Sequence, residues 1–199
     1  MPAQPCKLTE THTMTDRITD PIRTPFEAGN QNQTTTPEQC TAFYADLAAR
    51  FPHVLQTFTF GTSDGGLPLL AGVVTADGEF DRERLRQQGR PVFFNNNGIH
   101  PGEPEGIDAC MALVRDFCVD PARRAALGRT VFLFVAVYNV DGHHNRATTS
   151  RVNQVGPESF GFRANSRNLD LNRDFVKCDS REAQAFNRLF TLWDPDVMV

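Results

Sequence analysis

The sequence predicts an α/β fold in which a mixed, largely parallel sheet is flanked by helices. Short apolar segments of strand type alternate with segments whose apolar residues recur every three or four positions, as in sheets joined by crossover helices. With 199 residues, 40% of them hydrophobic, the chain is large enough to bury the core of one such domain. Sites in these folds form where strands pass into loops at their carboxyl ends.

The amino-terminal segment, residues 1–34, is polar and rich in threonine. We expect a flexible tail there and one domain over residues 35–199. The tail has no apolar stretch of the secretory type, which favours the cytoplasm over export. The longest apolar run, residues 131–140, is far shorter than the roughly 20 residues that a membrane-spanning helix needs.

Composition excludes some classes of function. The net charge of −4 and the isoelectric point near 5.7 argue against a nucleic-acid surface, which requires a basic face. The five cysteines form no Cys-x-x-Cys pair and their number is odd. We therefore expect reduced thiols rather than a disulfide framework.

The first elements after the tail are a helix and a strand hairpin. The segment Thr36–Gln39 is typical of a helix start, because threonine caps free amides and proline fits the first turn. The helix is expected to run to Pro52. Residues 54–60 alternate apolar and polar, residues 69–74 are apolar, and the glycines and prolines between them predict a hairpin.

The rest of the chain alternates between the two element types. Ile107, Met111 and Val114 recur at helical spacing. Asp179 and Glu182 have the spacing of a capping box, which predicts a helix starting at Asp179. In chain order we expect a helical turn at 81–88, a strand at 91–94, a helix at 105–117, a strand at 130–137, a loop at 145–167, a helix at 179–193 and a strand from 196.

The pair His100 and Glu103 follows the strand at 91–94. A catalytic zinc ion takes three protein ligands, often two histidines and a glutamate, and residues three apart at a helix entry can face one point. Gly98 and Gly102 allow the backbone to bend closely there. The alternative is a histidine and a glutamate that only flank a helix start, where the helix dipole favours the carboxylate.

A second polar motif contains Asp170, Asn172 and Arg173. A guanidinium beside an amide suits the binding of a carboxylate. On an extended strand Asp170 would face the same way as Asn172, and it could accept the second ring N–H of His100, fixing the tautomer of a metal-bound imidazole. The alternative is an ordinary ion pair between Asp170 and Arg173.

Three segments of the sequence resemble, in order, motifs of the M14 family of zinc carboxypeptidases. Residues 95–106 resemble the zinc-binding stretch of that family, and residues 139–142, Asn-Val-Asp-Gly, are similar to its Asn-Pro-Asp-Gly turn. Residues 170–173 match its Asp-x-Asn-Arg substrate clamp. Order and rough spacing agree over residues 36–199, so the resemblance implies a zinc-carboxypeptidase-like fold.

The resemblance also implies roles for single residues. His100 and Glu103 would be ligands of Zn²⁺, with Asp170 orienting His100. Asn172 and Arg173 would bind the terminal carboxylate of the substrate.

The family also uses an arginine upstream of the clamp to polarise the scissile carbonyl and hold its developing oxyanion. Arg163 and Arg167 are the two candidates, and we favour Arg163 although the spacing fits neither cleanly. The family often has an arginine between its histidine and glutamate ligands. This sequence has Pro101 and Gly102 there, so that carboxylate contact is expected to be absent.

The third zinc ligand of the family, a histidine, follows the strand that begins here at Asp196, and the general base, a glutamate, lies further downstream. We therefore expect the sequence to be an apparently truncated, amino-terminal part of a catalytic domain. His143 and His144 are expected to be an exposed loop pair rather than ligands, and Glu158 is not expected to act as the base.

The function that the resemblance implies is hydrolysis of C-terminal peptide bonds by a zinc metallopeptidase. One alternative is a zinc amidase or deacylase of cell-wall peptides or small acyl-amino acids; another is a non-catalytic, carboxylate-binding remnant. An α/β domain with coincidental motifs is the weakest alternative. In each functional reading the partner is a peptide or acyl-amino acid with a free carboxylate, and neither its side-chain preference nor an oligomeric state follows from the sequence.

Overall fold

The structure, a computed structural model, describes residues 22–199. Its five-stranded mixed sheet has the strand order β1-β2-β4-β3-β5. β2 pairs antiparallel with β1 and β4, whereas β3 pairs parallel with β4 and β5. The strands are β1 Leu55–Thr62, β2 Pro68–Val74, β3 Val92–Asn96, β4 Val131–Val135 and β5 Val197–Met198.

Helices cover both faces of the sheet, which confirms the predicted α/β class. The four pairings of the described strands divide equally between parallel and antiparallel. The helices are α1 Pro25–Ala28, α2 Pro37–Arg50, α3 Arg82–Gln87, α4 Glu105–Val119, α5 Pro121–Ala126, α6 Val140–His144 and α7 Arg181–Trp193, with a 3-10 turn at Leu171–Arg173.

The core lies on either side of β4, whose five residues are all buried. A strand covered on both faces needs an unbroken apolar sequence, as this one has. On one face Phe134 packs with Tyr44 of α2 and Met111 of α4. On the other, Leu133 belongs to a cluster that includes Phe186 of α7.

Part of the predicted tail is packed against the domain. Residues 1–21 lie outside the described part of the chain, but residues 22–34 contain α1 and end at a buried Thr34. The hydroxyl of Thr34 donates to Asp108, and the amide of Thr35 donates to the same carboxylate over 3.1 Å. Within the described chain, packing thus begins before residue 35.

His143 corrects one expectation. It lies on α6, is 1% exposed, and its Nε2 is 2.9 Å from the carbonyl oxygen of Thr35. His144 is the exposed member of the pair, and its Nδ1 lies 3.7 Å from Glu38. The predicted exposed loop pair is therefore wrong for His143, because the carbonyl of Thr35, just before α2, holds its ring inside the domain.

The start of α7 corrects the expectation of a capping box at Asp179. Ser180, not Asp179, is the N-cap, and its side chain accepts from the amide of Ala183 over 3.0 Å. Glu182 does not fold back onto the cap. Its carboxylate accepts from the amide of Asp64 over 3.1 Å and from Asn165 over 3.2 Å.

Two further observations concern membrane-spanning helices and the state of the cysteines. None of the helices within residues 22–199 has the length and apolar character needed to cross a membrane. Cys40, Cys110, Cys118 and Cys178 are free thiols, as expected, and Cys6 lies outside the described residues.

Candidate metal and substrate site

The site forms at the carboxyl end of β3, in the turn that leads to α4. The side-chain amide of Asn97 donates to Val135 O over 2.8 Å, which ties the turn to the neighbouring strand. Gly98 has a φ of +66°, and a Cβ there would lie 3.0 Å from side-chain carbons of Ile107 and Val137. Only glycine fits this bend comfortably, and the bend brings His100 over the sheet edge.

His100 and Glu103 face each other in this turn. The amide of Glu103 donates to His100 O over 2.8 Å, and His100 Nδ1 lies 3.6 Å from Glu103 Oε1. The His100 side chain is 8% exposed, whereas that of Glu103 is 48% exposed. The pair therefore presents one nitrogen and one oxygen toward a common point at the surface.

Asp170 fixes the other side of the His100 ring. Its Oδ1 lies 2.9 Å from His100 Nε2, so in the neutral imidazole that binds a metal an ionised Asp170 makes Nε2 the donor and leaves the lone pair on Nδ1. Burial raises the pKa of Asp170, but hydrogen bonds from His100 and Arg163 lower it by more than burial raises it. The net pKa of the carboxyl is therefore below its ordinary value. This is the orientation that metal-bound histidines receive from carboxylates.

The backbone predicted around Asp170, an extended strand, is wrong. Asp170 is not on an extended strand shared with Asn172; it precedes the 3-10 turn at Leu171–Arg173 and accepts from the amide of Asn172 over 3.0 Å. Leu171 is fully buried and anchors the turn. Asn172 and Arg173 are consequently exposed, and Arg173 Nη1 donates to Asn172 O over 3.0 Å.

The donors present fit two positions of a zinc site. Zinc binds histidine nitrogen and carboxylate oxygen at about 2.0–2.2 Å, and a 3.6 Å separation of Nδ1 and Oε1 allows one ion to reach both atoms. Within residues 22–199, no group of three histidine, cysteine, aspartate or glutamate side chains is arranged to hold a metal ion. His143, His144 and Glu158 make their contacts elsewhere, with Thr35, Glu38 and Asn32.

The structure separates the two candidate arginines. Arg163 donates from Nε and Nη2 to Asp170 Oδ2 over 3.1 and 2.9 Å, and its Nη1 lies 3.9 Å from Glu103 Oε1. Arg167 instead donates to Asp179 O over 3.1 Å and lies 3.5 Å from Asp64. Of these two arginines, Arg163 is the one that lies beside the partners of His100.

The Asn-Val-Asp-Gly segment at residues 139–142 supports Arg163. The side-chain amide of Asn139 donates to Arg163 O over 2.9 Å, and the amide of Phe162 donates to Gly142 O over 2.7 Å. A Cβ at Gly142 would lie 2.4 Å from Phe162 O. The turn therefore needs glycine so that the Arg163 segment can pass against it.

Arg151 is a site residue that sequence reasoning missed. Its Nη1 donates to Glu103 Oε1 over 2.7 Å. Burial raises the pKa of Glu103, and the hydrogen bond and charge of Arg151, with His100, lower it below its ordinary value. Arg151 lies in a loop without a motif, so no signal in the sequence could have identified it.

Comparison with solved structures gives the class of fold. A metallo-carboxypeptidase from Burkholderia cenocepacia is 18% identical with a TM-score of 0.61, and the match covers 83% of this chain and 40% of that one. Carboxypeptidase A from Helicoverpa armigera is 16% identical with a TM-score of 0.61, covering 80% and 42%. Bovine thrombin-activatable fibrinolysis inhibitor, solved with tick carboxypeptidase inhibitor, is 16% identical with a TM-score of 0.60, covering 82% and 57%.

The described fold is thus an α/β fold shared with carboxypeptidases, and the chain spans about 40% of the length of most of these structures. The model of the M14 peptidase family, described as zinc carboxypeptidase, matches residues 40–189. The chain belongs to this family. No curated protein matches the sequence closely enough to count as a relative.

Proposed function

We propose that the protein containing this chain is a zinc-dependent carboxypeptidase that hydrolyses the last peptide bond of its substrate. The arrangement at His100 supports this: Asp170 holds Nε2, and Nδ1 faces Glu103 at 3.6 Å. Zinc, when bound, supplies a Lewis acid for the hydrolysis. His100 and Glu103 are two of its ligands.

The exposed residues beside this pair bind the substrate. Arg173 offers two parallel N–H donors and Asn172 a further amide, a combination that matches the free carboxylate of a peptide C-terminus. Because both residues precede the buried Asp174 and follow the buried Leu171, their backbone is held on both sides. The terminal residue is thereby positioned before its peptide bond reaches the metal ligands.

Arg163 stabilises the negative charge that develops on the oxygen of the scissile carbonyl. Its guanidinium lies between Asp170 and Glu103, so it can donate to a carbonyl oxygen held near the ligands without a large movement. A donor that is already in place stabilises an oxyanion more in the transition state than in the ground state. On this proposal a complete site also needs a third zinc ligand and a general base.

A peptide pair tests the proposal in the full-length, zinc-loaded protein. One peptide carries a free C-terminal carboxylate and the other a C-terminal amide, and mass spectrometry follows the products. We expect stepwise loss of C-terminal residues from the free acid only, and loss of that activity in Arg173→Ala. Equal cleavage of both peptides would exclude a carboxypeptidase.

The same experiment addresses the alternatives. Small N-acyl amino acids as additional substrates identify a deacylase if they alone are hydrolysed. Binding of the free-acid peptide without hydrolysis, and without one zinc ion per chain, identifies a carboxylate-binding remnant. Zinc content of His100→Ala compared with the parent shows whether His100 is a ligand.

A further inference from the structure

Arg151 occupies an unusual place over the backbone that joins the two proposed metal ligands. Its Nη1 donates to Glu103 Oε1 over 2.7 Å, and its side chain is 28% exposed. A Cβ on Gly102 would lie 3.1 Å from Arg151 Cδ and 3.6 Å from Nη1. The absence of a side chain at Gly102 thus leaves the space that the arginine fills.

The loop that carries Arg151 is attached to the same backbone. The amide of Gly161 donates to Pro101 O over 3.2 Å, and Ser150 Oγ donates to Gly161 O over 3.4 Å. Ala147 and Phe160 form an isolated antiparallel bridge at the base of the loop. These contacts fix the loop beside the turn that carries His100 and Glu103, so the fold itself sets the position of Arg151.

The site has more positive than negative side chains. Arg151 and Arg163 both approach the same oxygen, Glu103 Oε1, at 2.7 and 3.9 Å. With Arg173 there are three guanidinium groups to the two carboxylates of Glu103 and Asp170. Zinc would add two further positive charges, so the site favours substrates with more than one negative charge.

The contacts also order the arginines across the site. Arg173 follows Asp170 in the 3-10 turn, Asp170 contacts His100, and His100 faces Glu103, beyond which lies Arg151. On the proposed function, Arg173 holds the terminal carboxylate and the scissile bond lies at His100 and Glu103. Arg151, which contacts Glu103 and not the Arg173 turn, is therefore assigned to the acyl side of that bond.

We propose that Arg151 binds an anionic side chain on the acyl side of the scissile bond, so that the preferred substrates have aspartate or glutamate as penultimate residue. This inference rests on the proposed function, because it uses the same bound peptide. Among residues 22–199, Arg151 makes one side-chain hydrogen bond, from Nη1 to Glu103, and its other N–H groups can meet a carboxylate in the planar, two-bond geometry that arginine favours.

Two peptides that differ only in a penultimate glutamate or glutamine test this proposal in the full-length protein. We expect the parent to hydrolyse the glutamate peptide with roughly tenfold higher kcat/KM, the size of one charged hydrogen bond. Arg151→Gln should abolish that preference, and Arg151→Lys should keep part of it. Arg50→Gln, a surface change on α2, should leave both rates unchanged.

The outcomes distinguish the two proposals. Equal hydrolysis of both peptides by the parent overturns the role of Arg151 and leaves the carboxypeptidase intact. Equal loss of both rates in Arg151→Gln, together with loss of zinc, also overturns it, because the residue would then only hold Glu103. If the parent hydrolyses neither peptide, the proposed function fails, and calorimetric binding of the same pair decides whether Arg151 selects the acidic side chain.

Discussion

Asp170 Oδ1 lies 2.9 Å from His100 Nε2, and this contact gives the two ring nitrogens of His100 different tasks. Nε2 faces the carboxylate of Asp170, and Nδ1 faces Glu103 Oε1 at 3.6 Å. The residues are 70 positions apart, one after β3 and the other before the 3-10 turn. The fold therefore brings both motifs of the sequence to one edge of the sheet.

Replacing Asp170 by asparagine should weaken zinc binding. The amide keeps an acceptor for the backbone of Asn172, but it removes the charge that holds Nε2 as the donor. Loss of such a partner typically costs 10- to 100-fold in metal affinity, which chelator competition in the full-length protein measures. Asp179→Asn, an exposed position eight residues after the start of the 3-10 turn, is the control and should not change affinity. Unchanged affinity in Asp170→Asn would contradict the assigned role.

Arg163→Ala and Arg167→Ala should have different effects on hydrolysis. Arg163 lies beside Asp170 and Glu103, whereas Arg167 is bonded to Asp179 O. Loss of an oxyanion donor lowers kcat by roughly 100- to 1,000-fold, and KM should change little in Arg163→Ala because the terminal carboxylate is bound elsewhere. Steady-state kinetics decides, and a larger fall in kcat for Arg167→Ala would reverse the assignment.

The element types could be predicted because they depend on local patterns. The capped start at Thr36, the hairpin of β1 and β2, and the apolar stripe of α4 all follow from residues close together in sequence. The proposed pair of His100 and Glu103 could be predicted from the sequence for the same reason. Spacing and glycine content within a few residues determine that their side chains face each other.

The missed features depend on contacts between distant residues. Glu182 has the position of a capping-box residue, but its carboxylate accepts a hydrogen bond from the amide of Asp64, 118 residues away. The N-cap of α7 is Ser180 rather than Asp179. His143 is buried because the carbonyl of Thr35 meets its ring. Arg151 reaches Glu103 from 48 residues away in an irregular loop. Periodicity carries no information on such pairs.

Phe186→Ala should destabilise the domain strongly. Phe186 is 3% exposed, and its ring centroid lies 5.2–5.4 Å from those of Phe94, Tyr138 and Phe175. Truncation of a buried phenylalanine removes its burial and leaves a cavity, which costs about 3–5 kcal/mol. Urea denaturation measures the loss. Phe190→Ala on the same helix, where the ring is 37% exposed, should cost clearly less, and equal losses would argue against this packing.

Glu182 should make stability depend on pH. It is fully buried, and burial, together with the charges of Asp64 and Asp141, raises its pKa from 4.5 to about 7. Between those two values the folded state binds a proton that the unfolded state has released, so this group's contribution to stability falls as pH rises from 4.5 to 7. Above pH 7 the contribution no longer changes.

Glu182→Gln isolates that contribution, because other titrating groups remain in both proteins and cancel in the difference. The free energy of unfolding of the variant minus that of the parent should rise between pH 4.5 and 7.5 by on the order of 3 kcal/mol, and urea denaturation across this range measures it. Glutamine presents only one oxygen to the two donors, Asp64 N and Asn165 Nδ2, so a constant loss is superimposed and does not affect the slope. Glu158→Gln, on an exposed loop, is the control for the substitution itself. A difference for Glu182→Gln that does not change with pH would mean that the buried carboxyl is already ionised at pH 4.5, against the direction that its burial dictates.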